Sequence, residues 1–235
     1  MTGTTTPSEL AHEYGEARRR MSDLVADAGA TVVSTRIPAC PEWSVHALCS
    51  HVTGIAADLT ARRNPGPDVQ AWVDGQIAER ADRALADVLA EWAEVGPQFE
   101  ALIERKPAGF GGLLYDLIAH EHDLRGAIGV PVARDSAGLA AAMEMERAML
   151  DRDLAVHDLA AVRLLAAGHE FVAGEGDVEL TLDLDDRADG LFELFRALGS
   201  RRSRAQLGTL PWQGDLDRFL PALAHMPLPD HDLTE

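Results

Sequence analysis

Asp116 and His120 stand four residues apart in a stretch, Gly111 to Pro131, where Leu114, Leu117, Ile118, Leu124 and Ile128 recur at three- and four-residue steps. That period marks a helix with one buried face, stopped by Gly129 and Pro131. Side chains four apart on a helix lie one above the other, so this carboxylate and imidazole can hold one metal ion between them. The same spacing also makes an ordinary helix-surface pair, and ligation needs a third donor from another helix. His51 is the candidate. Ser44 has the character of an N-cap, and Val45, Leu48, Val52, Ile55 and Leu59 form the apolar stripe of the helix that follows it. His51 falls at the edge of that stripe, where a histidine either reaches sideways to a neighbouring helix or packs as a hydrogen-bonded core residue.

The elements that must position these three residues are legible along the chain. Thr6-Pro7-Ser8-Glu9 reads as a capping box with proline at the first helical position, and Leu10, Tyr14, Ala17, Met21, Leu24, Val25 and Ala28 keep helical spacing after it. Thr31 to Pro41, with two prolines at its end, reads as an extended connector. Val69 to Arg80 is a shorter helix containing Trp72, Val73 and Ile77. Leu85, Val88, Trp92, Val95, Phe99 and Leu102 alternate steps of three and four like a coiled-coil seam, with Gly96-Pro97 predicting a kink or break. The first helix, the His51 helix, the seam helix and the Asp116/His120 helix can close an antiparallel bundle, an architecture that builds ligand sets in its core.

Leu139 to Leu154 forms one more helix, with Ala142, Met143, Met149 and Leu150 available for packing. The pattern then changes near Val156. Ala161 to Gly174 reads as a hairpin turning at Ala167-Gly168, Val178 to Leu184 alternates like a half-exposed strand, and Leu191 to Leu198 is helical again. The expected fold is therefore α+β in two domains, a helical bundle over 1–155 and a small α+β domain over 160–235.

Composition limits the function classes. The chain has 39 acidic and 21 basic residues, a net charge of −18, which repels nucleic-acid backbones and anionic lipid. No apolar run is long enough to span a membrane, and Met1 to Pro7 lacks a basic start and an apolar core, so the expectation is a cytoplasmic protein with small-molecule partners. Cys40 and Cys49 flank the proposed cap at Ser44 and are expected as reduced, structural thiols. Arg18-Arg19-Arg20 is expected on a solvated helix face. Glu121 projects toward the apolar stripe, where an unpaired carboxylate is costly, so it is expected to pair with an arginine or to support a ligand histidine. His122 lies on the flank opposite Asp116 and, with Asp123, becomes a ligand only if the helix is rotated.

Three segments, Cys40-Pro-Glu-Trp-Ser-Val-His-Ala-Leu-Cys-Ser-His-Val-Thr-Gly54, Asp116-x-x-x-His120-Glu-His-Asp-Leu-Arg125, and Phe192 to Gln206 with Trp212-Gln-Gly-Asp215, resemble the mycothiol-dependent maleylpyruvate isomerase family. The resemblance implies a DinB-like metal-binding four-helix bundle as the first domain, with a divalent metal, usually zinc, held by His51, Asp116 and His120. The family's isomerases carry glutamate where this chain has the shorter Asp116. The resemblance further implies a C-terminal arginine at the active site. The run Arg201-Arg202-x-Arg204 supplies candidates, Arg201 first and Arg202 beside it, for clamping a substrate carboxylate. Surface helix capping explains such a run equally well.

Three protein ligands on zinc leave one position open, the catalytic arrangement. The resemblance supplies mycothiol as the thiol that the metal would convert to a thiolate, for isomerisation or S-transfer on a small electrophile. Three other classes stay open on the residues alone. One is a non-catalytic metal-binding or ligand-sensing bundle. Another is a purely structural helical bundle that binds no metal. The last is a metallohydrolase, which needs Glu121 beside a water as general base.

Overall fold

The computed structural model describes residues 5–110 and 112–235. Met1 to Thr4, with most of the leader reading, and Gly111, the first residue of the stretch discussed above, lie outside the described residues. The chain divides between Pro131 and Val132 into two compact units. No helix among the described residues is long and apolar enough to cross a membrane.

The first unit is helical. It contains α1 (Pro7–Ala28), α2 (Val45–Thr60), α3 (Val69–Ala78), α4 (Leu85–Arg105), α5 (Pro107–Phe110) and α6 (Gly112–Ile128), with strands β1 (Arg36–Ile37) and β2 (Cys40–Ser44) between α1 and α2. The Thr6–Glu9 capping box starts α1, and the Ser44 hydroxyl accepts from the Ala47 amide at the start of α2. Both α1 and α2 pack against α4 and against α6. The four long helices share a core that includes Tyr14, Met21, Leu48, Val52, Trp92, Phe99, Leu117 and Ile118.

Three expectations are corrected in this unit. Thr31 to Pro41 is more than a connector: β1 and β2 pair antiparallel, Ile37 opposite Cys40, and Ile37 is buried. The α4 seam runs through Pro97 without a break, but its buried positions are Leu85, Val88, Trp92, Gly96, Phe99 and Ile103. A straight helix gains on a strict heptad, so the buried face moves from Val95 and Leu102 to Gly96 and Ile103. Arg18 and Arg20 are not simply solvated. Arg18 is buried and crosses Gly96, where any Cβ would come within 2.4 Å of its Nε, to reach Glu100 at 2.8 Å. Arg20 donates to both oxygens of Glu121 at 2.8 and 2.7 Å, and Arg125 adds bonds to Oε1 at 2.9 and 3.1 Å. Glu121 is 1 % exposed, so these two guanidinium groups are what make its burial tolerable.

The second unit contains α7 (Ala137–Val156), β3 (Ala161–Ala166), β4 (His169–Ala173), β5 (Val178–Asp183), α8 (Gly190–Leu198), α9 (Arg204–Thr209), β6 (Trp212–Gln213) and α10 (Leu216–Leu223). The sheet order is β4-β3-β5-β6, with β3 antiparallel to β4, parallel to β5, and β5 antiparallel to β6. Ala167 and Gly168 turn the hairpin at φ 51° and 74°, the doubly left-handed turn that matches strand twist. The 1–155 boundary is displaced, because α7 packs on β4, α8 and α10 and so belongs here. An apolar stripe shows that a helix needs a partner; it does not show which.

His225, just beyond α10, ties that segment to α7. Its Nε2 is 2.6 Å from Glu146 and its Nδ1 is 2.7 Å from Asp153. Burial opposes a charge on His225, but Glu146 and Asp153 outweigh it and raise its pKa above the ordinary value. A histidine whose folded pKa is raised stabilises fully below its unfolded value and loses that contribution as pH rises through the folded pKa. The melting-temperature gap between wild type and His225→Gln is therefore expected to be largest below about pH 6.5 and to narrow above it, as followed by circular dichroism. In the first unit, Glu121→Ala strands two arginines and is expected to cost about 3 kcal/mol in urea unfolding.

Candidate metal centre

Each ligand candidate owes its place to a different local device. The Ser44 cap sets the start of α2, and His51 follows two turns later on the side facing α6. Asp116 and His120 share one flank of α6. The three side chains converge, with one donor atom from each within 4.8 Å of the others. His51 Nε2 lies 3.8 Å from Asp116 Oδ2, and His120 Nε2 lies 3.5 Å from Asp116 Oδ1. The two imidazoles meet edge to face, with ring centroids 5.3 Å apart. Metal bonds of about 2 Å at tetrahedral angles would put donors roughly 3.3 Å apart, and both histidine–Asp116 separations lie close to that spacing.

The opposite ring nitrogens are already occupied. Gln76 Nε2 donates to Asp58 at 3.3 Å, which turns its carbonyl oxygen toward His51 Nδ1 at 2.9 Å. Asp58 is held in turn by Arg63. His120 Nδ1 lies 3.1 Å from Asp123 Oδ2, which also accepts from the Cys40 thiol at 3.7 Å. Each imidazole therefore carries a hydrogen on Nδ1 and turns its Nε2 toward the shared point, the support that metal-ligating histidines require. Burial drives the His51 imidazole below its ordinary pKa, with Asp116 opposing and His120 reinforcing. Burial also disfavours charge on His120, but Asp116, Asp123 and Cys40 outweigh it and hold its pKa well above the ordinary value. A divalent cation at this point competes with that proton.

Several supporting residues carried no sequence signal. Gln76 is the buried residue of α3, 1 % exposed, while the apolar Trp72, Val73 and Ile77 of the same helix are only half-buried. Gly54 makes room for it: a Cβ there would lie 2.5 Å from Gln76 Cβ. Arg80, also buried, donates to the Gln76 carbonyl and to Glu91, fastening the end of α3 to α4. Trp43 covers both imidazoles, 4.9 Å from His51 and 5.5 Å from His120 between centroids. Asp116 is the open member of the set, its side chain 34 % exposed against 5 % for His51 and 7 % for His120.

Cys40, His120 and Asp123 form a second close group that shares His120. Cys49 is buried, and burial pushes its thiol up to about 12, as befits a packing residue. Glu121 does not support a ligand histidine; its oxygens are taken by Arg20 and Arg125. His122 is buried and stands outside both groups. Arg201 and Arg202 belong to the second unit, both buried. Arg202 grips Glu193 through two bonds of 2.8 and 3.0 Å, and Arg201 Nη1 donates to the Gly199 carbonyl at 3.0 Å.

The first unit is thus a helical domain with a two-histidine, one-carboxylate centre. Its residues 14–111 match the family described as Mycothiol maleylpyruvate isomerase N-terminal domain. The matched segment holds Trp43, His51, Asp58 and Gln76 and ends before Asp116 and His120. No curated protein and no solved structure matches the chain.

If Gln76 orients His51, Gln76→Leu should leave the helical circular dichroism unchanged and weaken zinc binding about 10–100-fold in a chelator-competition titration. Gly54→Val, which displaces Gln76, should weaken it in the same direction.

Proposed function

We propose that the chain is a metal-dependent enzyme, zinc being the metal that its donors suit, that activates a low-molecular-weight thiol, mycothiol, for isomerisation or S-transfer on a small electrophile. The observation that carries this reading is the convergence of His51, Asp116 and His120 with both Nδ1 hydrogens held from behind. The bundle is read as the DinB-like four-helix type. When bound, a divalent metal lowers the pKa of a thiol so that the thiolate is the form present at neutral pH.

The chain's own residues do the rest. His51 and His120 present lone pairs, and Asp116 is the single anionic donor, so the set leaves a divalent cation one net positive charge with which to attract a thiolate. The Trp43 ring forms a wall over the imidazoles and excludes water from that side. Asp116, open to solvent, marks the side from which thiol and substrate approach. Glu121 is committed to two arginines and cannot serve as the base of a metallohydrolase, which favours the thiol reading over hydrolysis.

Protein purified without chelator is expected to contain about one zinc per chain and to isomerise maleylpyruvate, or to conjugate a model electrophile, only when mycothiol is present. His51→Ala and Asp116→Ala should lose both metal and turnover. Stoichiometric metal with no thiol-dependent turnover on any electrophile would instead identify a sensor.

A further inference from the structure

At the C-terminal ends of α2 and α4, a cavity of about 930 Å³ has Leu59, Leu102 and Phe110 in its lining together with Arg62, Arg105 and Lys106, and no carboxylate. Its size is that of a small-molecule site, and its charge is unusual in this chain. Acidic residues outnumber basic ones 39 to 21, and in the same unit Arg18, Arg20, Arg63, Arg80, Arg83 and Arg125 each reach a carboxylate. Among the described residues, the side chains of Arg62, Arg105 and Lys106 make no ion pair or hydrogen bond. Arg62 also holds a left-handed backbone at φ 62°, the position after a helix where glycine is the ordinary choice.

Cations do favour helix C-termini, and this accounts for one base at each helix end. It does not account for three around one cavity. Two helix C-termini supply roughly half a negative charge each, so three cations leave about two positive charges uncompensated. The cavity is separate from the candidate metal centre along α2, since Thr60 lies about two and a half turns, roughly 13 Å, beyond His51.

We propose that this cavity binds a small organic dianion, a phosphate ester or a dicarboxylate, with its two negative charges met by Arg62, Arg105 and Lys106 and its apolar body against Leu59, Leu102 and Phe110. The site does not depend on the metal centre or on the thiol reading.

Calorimetric titration of the full chain with inorganic phosphate, succinate and acetate tests it. At least one dianion is expected to bind one per chain, at least tenfold tighter than acetate and more weakly as salt is raised. Tighter phosphate binding marks the ligand as a phosphate ester and tighter succinate binding marks it as a dicarboxylate. The triple variant Arg62→Gln/Arg105→Gln/Lys106→Gln should lose at least tenfold in affinity, and Lys106→Glu alone should lose affinity while melting at the wild-type temperature. His51→Ala should bind the dianion as wild type does. Absence of binding to both dianions, equal binding of acetate, binding indifferent to the charge variants, or loss of binding in His51→Ala would each overturn the proposal.

Discussion

The orientation of one carboxamide governs the centre. Gln76 gives its amide hydrogen to Asp58 and its oxygen to His51. Turned the other way, it would set an oxygen against a carboxylate and an amide N–H against the imidazole N–H. Asp58 is 6 % exposed and Gln76 1 % exposed, so water cannot repair either mismatch, and a buried unsatisfied polar group costs more than a hydrogen bond returns. The Arg63–Asp58 pair therefore fixes the amide, the amide fixes the His51 tautomer, and the tautomer decides which nitrogen faces Asp116. Asp123 performs the same task for His120 from the other side.

These constraints explain why the centre draws on so many elements. Gly54 has no side chain because α3 must come close enough to bring Gln76 against α2. Arg80 fastens α3 at its end, and the β2 strand carries both Trp43 and Cys40 to the two histidines. The Arg20–Glu121 pair attaches α1 to α6, the helix that also presents Asp116 and His120. A rotation of α6 that buried Asp116 would pull Glu121 from Arg20 on α1, so the pair that joins the two helices also sets the face that α6 turns to His51.

Local pattern made part of this legible. The Thr6 box, the Ser44 cap and the stripe of α2 are short-range signals, and they placed His51 correctly on its helix. The four-residue spacing of Asp116 and His120 is itself a geometric statement, and the Ala167-Gly168 turn declared its hairpin. What stayed hidden depends on contacts between segments distant in sequence. Gln76 sits in a short, weakly striped helix where nothing distinguishes it from a surface glutamine. Cys40 meets Asp123 across 83 positions, and Arg18 finds Glu100 across 82, so neither pairing leaves a trace in spacing. The allegiance of α7 to the second unit is hidden for the same reason.

His120 is shared by two possible ligand groups, one with Asp116 and His51 and the other with Asp123 and Cys40. X-ray absorption spectroscopy of the zinc-loaded chain distinguishes them directly. The account predicts a first shell of nitrogen and oxygen alone, two imidazoles among them, at about 2.0–2.1 Å. A sulfur scatterer at about 2.3 Å that disappears in Cys40→Ser would contradict it, and would mean that the hydrogen bond behind His120 is part of the metal site itself.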